Sequence, residues 1–264
     1  MEKYKQGYMT RLPYRASAII GRTTRDIFLS RSILFSLFFL LVPSFISIYS
    51  LVDTSEDFKE WWDLFSRFGL ILYLQILVLL YSLIYGSSMA NEDIENRTMT
   101  YLIIRGARKG EVYICKYIGT VISLMILFTI SISSMFLILS GHGPLRTMFV
   151  RTDILLALLI STYIGIIVFT ALFSLFGVLF KRPLMIGLLY AFFWEIVMVN
   201  IPFNIQYLTI MHYLRSVFSG TELVEDILGL ERMVDPVVSG VLMVMTSIPL
   251  IILGAYALSG KDIT

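Results

Sequence analysis

The chain has 264 residues, of which 57% are hydrophobic and only 15% charged, with a mean hydropathy of +0.81 and a formal net charge of +2. Soluble domains carry roughly 25% charged residues, so a water-soluble globular fold is excluded and an integral membrane protein is expected. The one cysteine, Cys115, excludes an intramolecular disulfide and a cysteine-based metal site, which leaves it a packing role.

A hydrocarbon core of about 30 Å needs about 20 helical residues to cross it. In chain order, residues 13–31 come first and mix Ile19, Ile20, Ile27 and Phe28 with Arg15, Arg22, Arg25 and Arg31, the pattern of an amphipathic helix on an anionic leaflet. Six apolar runs follow, at 32–52, 68–90, 117–140, 154–180, 184–201 and 237–258. Strand alternation is absent, and helices satisfy their backbone within one segment, so the fold class is all-α with six transmembrane helices in a single domain. The first apolar run begins only after Arg31, too late for a cleaved signal peptide, so it is expected to be retained. Trp61, Trp62 and Tyr49 suit an interfacial belt.

Placing the N-terminus in the cytoplasm assigns 15 Lys and Arg to the inside and six (Lys59, Arg67, Arg146, Arg151, Arg215 and Arg232) to the outside. The positive-inside rule therefore predicts both termini cytoplasmic. No phosphate-binding loop is present, since Ser259-Gly260-Lys261 lacks the Gly-rich turn and following helix, and no metalloprotease spacing surrounds His142 or His212. A chain without that loop is not expected to hydrolyse ATP by itself.

Two segments carry functional information. Residues 91–116 join the second and third runs. Glu92, Asp93 and Glu95 suit a helix start, and Arg105, Gly106, Arg108, Lys109 and Gly110 suit its exit. A solvated loop obeying the charge rule is one reading, and a rigid lever docked on a cytoplasmic partner is the other. The second segment includes Glu195, the only charged side chain inside any run, 11 residues past Leu184 and so about 16 Å along the helix. A charge at that depth costs roughly 2.5–3.5 kcal/mol. Protonation, a partner such as His212 or Arg215 folding back, or a wet vestibule would each offset it. The following residues, 202–236, are too polar to span and fit two short helices at the outer surface.

The segment from Glu92 or Asp93 through Glu95, Arg97, Thr98, Met99, Tyr101, Leu102, Gly106, Arg108, Lys109, Glu111, Lys116 and Gly119 resembles that of permeases in the type 2 ABC exporter superfamily. There a Glu-x-Glu stretch leads through Thr-(Leu/Met) and leucines to a basic turn and a Lys-x-Ile/Leu-Gly span start. This chain has Arg97 where the family usually has Gly, and Gly106 where Pro is frequent. The resemblance covers the whole chain and implies a pair of permease subunits, identical or homologous, embedded in the cell membrane on two copies of a separate ATP-binding subunit. ATP and Mg would bind that partner, with no cofactor on this chain and no nucleic acid. It also implies re-entrant helices in 202–236 and a coupling role for Glu92, Asp93, Glu95, Arg97, Thr98, Tyr101, Leu102 and Arg108. Because the superfamily carries drugs, polysaccharides, lipids and peptides, no one cargo is implied. Two competing functions use other residues: a membrane-embedded lipid enzyme with Glu195 and His212 as acid and base, and a proton-coupled secondary transporter working through Glu195.

Overall fold

The computed structural model describes residues 12–29, 32–52, 65–95, 108–140, 152–198, 204–219 and 234–260. Every regular element among them is helical: α1 (Leu12–Leu29), α2 (Ser32–Val52), α3 (65–95, with a π-helical stretch Gly69–Leu77), α4 (Lys109–Ser140), α5 (Thr152–Leu179), α6 (183–198, π-helical over Ala191–Val197), a 3-10 turn Asn204–Leu208, α7 (Ile210–Phe218) and α8 (Pro236–Ser259). Four stretches are long and apolar enough to cross a membrane, namely Phe65–Met89, Lys109–Ser140, Thr152–Leu179 and Pro236–Ser259. The apolar stretches Ser36–Ile48 and Pro183–Val197 are shorter.

Side-chain pairs between neighbouring helices give their directions. Tyr73 of α3 meets Ser131 of α4 while Met89 meets Thr120, so these two run antiparallel. Tyr113 meets Ser174 and Thr129 meets Tyr163, so α4 and α5 are antiparallel as well. Gly69 lies against Leu158 and Gly86 against Thr170, so α3 and α5 are parallel. Direction thus alternates from α3 to α4 to α5, the up-and-down arrangement of a helix bundle.

Helices in lipid gain little from excluding water between them and rely on close packing and hydrogen bonds. Both devices are visible. Ser82 is fully buried, and Gly86 brings α3 onto the backbone of α5 at Thr170. A side chain at Gly177 would collide with the Ser87 carbonyl oxygen, so only glycine admits this approach. Gly187 and Ala191 do the same for α6, where Gly187 faces Leu83 and Phe173. Tyrosine and serine hydroxyls then tie helices together: Tyr73 bonds Ser131 at 2.7 Å, Ser131 donates to the Leu40 carbonyl at 2.5 Å, and the Tyr117 hydroxyl donates to the Ile167 carbonyl at 2.8 Å. One stripe of α8 (Val237, Val241, Met245, Ile248, Ile252, Tyr256) stays exposed, the composition lipid tails tolerate.

Against expectation, α3 continues through Glu95 and α4 already begins at Lys109. Glu92, Asp93 and Glu95 therefore belong to the helix that contains the preceding apolar run instead of starting a new one. The sequence before them, Ser-Ser-Met-Ala-Asn, contains no Pro or Gly to stop the helix, and acidic residues in a last turn cost only about 0.3–1 kcal/mol against the dipole. The amphipathic helix predicted at 13–31 is α1, which lies on the first half of α4 with Ile20 and Thr23 against Gly119 and Arg22 and Arg25 exposed. The other end of the same region is α8, whose Ala255 and Ser259 lie beside Gly110. Hence α1, the start of α4 and the last turn of α8 gather at one end of the bundle.

Candidate functional site

Glu195 is completely buried in α6. Its carboxylate accepts three hydrogen bonds, from the Tyr190 hydroxyl (2.7 Å to Oε1), from the backbone N–H of Ile210 (3.3 Å to Oε1) and from that of Met211 (2.9 Å to Oε2). The sequence leaves the offset open between protonation, a partner such as His212 or Arg215, and a wet vestibule; in the structure the partners are a tyrosine hydroxyl and two backbone amides. The free N–H groups at a helix start carry partial positive charge and point along its axis, so they accept a carboxylate without bringing in a second ion.

The π-helical stretch Ala191–Val197 makes the Tyr190 contact. Five residues of α-helix overshoot a full turn by about 140°, which would set Tyr190 and Glu195 on different faces. The i→i+5 bonding of a π-turn stacks residue i+5 above residue i. The Tyr190 ring is itself held edge-on by Phe173 and Phe176 of α5, with centroids at 6.2 and 5.8 Å. Glu195 is thus aimed by α5 through Tyr190.

The acceptor side is equally ordered. Thr209 is the N-cap of α7: its hydroxyl donates to the Gln206 carbonyl (2.8 Å) and accepts from His212 N–H (3.3 Å). With Glu195 on Ile210 and Met211, all of the first three amides of α7 have partners. Below the cap, α7 is wedged between spans. Met211, Leu214 and Phe218 are fully buried, and Leu214 fills the gap left by Gly165 beside Val78. The His212 ring packs edge-on against Tyr207 at 4.9 Å and Tyr213 at 5.6 Å, and its Nε2 is buried without a hydrogen-bond partner among the described residues. Arg215 lies in the same helix, partly buried. The structure therefore brings together Glu195, Tyr190, Thr209 and the start of α7, with His212 and Arg215 on that helix but off the carboxylate. The groups of His, Cys, Asp and Glu needed to hold a metal ion are absent among the described residues.

Of the segment proposed from sequence to meet a partner, Glu92, Asp93 and Glu95 lie in the last turns of α3 with their side chains outside the described set, and Arg97, Thr98, Tyr101 and Leu102 lie outside the described residues altogether. Arg108 is exposed, immediately before α4, and its carbonyl accepts from Val112 N–H at 3.1 Å. The acidic residues at 222–231 and the tryptophans at 61 and 62 also lie outside the described residues.

Sequence reasoning singled out Glu195 and missed Tyr190, because the two are five residues apart and α-helical periodicity gives no reason to pair them. Thr209 was open to recognition, since a Thr before an apolar stretch is a standard N-cap signal. No protein-family model matches this chain, and no curated protein sequence matches it.

Proposed function

We propose that this chain is the permease subunit of an ATP-driven exporter of the type 2 ABC superfamily, a six-span protein of the cell membrane with both termini in the cytoplasm. It pairs with a second permease subunit, the same or homologous, on two copies of a separate ATP-binding subunit that carries ATP and Mg. The observation carrying this reading is the polarity of the bundle. At one end α1, the start of α4 and the last turn of α8 gather, and the basic residues in the sequence that bears the exporter-like pattern from Glu92 to Arg108 favour the cytoplasmic side. Toward the other end a short buried helix, α7, is wedged among the spans. A force applied at Glu92–Arg108 reaches the membrane through two continuous helices, α3 and α4, which pack on α5 and so on the seat of α7. The alternatives gain less from the geometry. An acid–base pair of Glu195 and His212 would share a proton, whereas Glu195 bonds Tyr190 and two amides.

Affinity purification from the native membrane, read by mass spectrometry, tests the proposal. An ATP-binding cassette subunit should copurify, and alanine replacement of residues 92–102 should release it while leaving membrane insertion intact. Retention of that subunit by the replaced chain would refute the coupling assignment. A cysteine at position 3 in a Cys115-free background should be protected from impermeant maleimide in intact cells, and its labelling would overturn the topology.

A further inference from the structure

We propose that Glu195 is a latch: its carboxylate holds α7 as a plug among the spans, and outward opening requires α7 to leave it. This rests on the exporter reading. Nine residues are too few for a helix to be stable alone, so α7 depends on its cap and its seat. The seat is apolar and non-directional, formed by Gly165 and Val78 around Leu214. The clasp is directional, a hydrogen-bonded link between α7 and α6. Two of the first three amides of α7 end on this one carboxylate, so withdrawing a single side chain frees both and leaves the helix start to the Thr209 cap alone.

The fold also supplies a way to withdraw it. Both π-helical stretches, Gly69–Leu77 and Ala191–Val197, contact α7. Such stretches hold one residue more per turn than an α-helix and concentrate at functional sites. Rewinding Ala191–Val197 to α-helix would turn Glu195 roughly 140° from Tyr190, breaking the tyrosine bond and both amide bonds in one register change. No bond is made or broken covalently.

The test uses Leu214→Cys in a Cys115→Ser background, reconstituted in liposomes with its ATP-binding partner and exposed to membrane-impermeant maleimide on the outer face. With Glu195 present, labelling should be slow without nucleotide and rise at least tenfold with ATP and Mg. Glu195→Leu should label at the fast rate under both conditions. Glu195→Gln, whose amide oxygen still accepts, should fall between, as should Tyr190→Phe. These two carry the comparison should the leucine variant fail to insert. A purely structural anchor predicts no response of the parent to ATP, and that result overturns the latch. Equal labelling of parent and Glu195→Leu overturns it as well, and needs no partner. Failure of any ATP-binding subunit to associate refutes the exporter reading instead, because the nucleotide-free comparison between parent and Glu195→Leu still decides whether Glu195 holds α7.

Discussion

Gly254→Ala should destabilise the bundle although it improves the helix that carries it. The Tyr113 side chain of α4, 1% exposed, crosses α8 at Gly254 to reach Ser174 of α5, with a hydroxyl–hydroxyl distance of 2.6 Å. A methyl group at 254 would collide with the Tyr113 hydroxyl and stand 2.5 Å from Cζ and 3.0 Å from Cε1. A tyrosine ring clamped between three helices cannot yield by tenths of an ångström, so the ring must leave. In an unhindered helix Gly→Ala gains about 0.5–1 kcal/mol. Here overpacking costs about 1–3 kcal/mol, and losing a hydrogen bond between membrane helices adds about 0.6 kcal/mol. The net expectation is a loss of about 1–3 kcal/mol. Tyr113→Leu removes both the bond and the obstacle, so Gly254→Ala should be nearly neutral in that background, giving a coupling of about 1–3 kcal/mol in the double-mutant cycle. Reversible unfolding of the purified protein in mixed micelles, titrated with dodecyl sulfate and followed by far-UV circular dichroism, measures all four corners. Additivity within about 0.5 kcal/mol would show that Tyr113 does not occupy the space above Gly254.

The same unfolding assay checks three further expectations. Asp235 caps α8, accepting from the N–H groups of Val237 (2.9 Å) and Val238 (3.3 Å), so Asp235→Ala should cost about 0.5–2 kcal/mol and Asp235→Asn much less. Tyr73→Phe deletes the hydroxyl that bonds Ser131 and should cost about 0.6 kcal/mol, with about 1.7 kcal/mol as the ceiling for such bonds. Gly165→Val places atoms where Leu214 Cδ1 and Val78 Cγ1 stand 3.0 Å from an added Cβ, and should cost about 1–3 kcal/mol, much of it recovered by Leu214→Ala. A Gly165→Val penalty unchanged by Leu214→Ala would mean that α7 is not seated there.

What was legible before any coordinates follows from solvent. Apolar length and periodicity are properties of a segment, so the runs that became α2 through α6 and α8, and the amphipathic α1, stand out to within a few residues, and four of these helices are long and apolar enough to cross a membrane. The exceptions are the polar ends of two runs, where apolar length no longer marks where a helix starts or stops. There α3 ran on through Glu95 and α4 started at Lys109, several residues before its apolar run.

Glu195 shows where sequence reading reaches its limit. Composition alone marked it as the one charge inside an apolar run and required that something offset its burial. It left three kinds of partner open, because a carboxylate can be neutralised by a proton, an ion or a set of dipoles with similar effect. The choice belongs to the tertiary structure. A π-turn whose local sequence, Ala-Phe-Phe-Trp-Glu-Ile-Val, carries no signal for it brings Tyr190 over Glu195, and the packing of Leu214 on Gly165 seats α7 with its first amides at the carboxylate. Local propensity and apolar length are properties of a segment, and one sequence states them. The pairing of Glu195 with amides 15 and 16 residues further on depends on how three helices meet, and it exists only once they have packed.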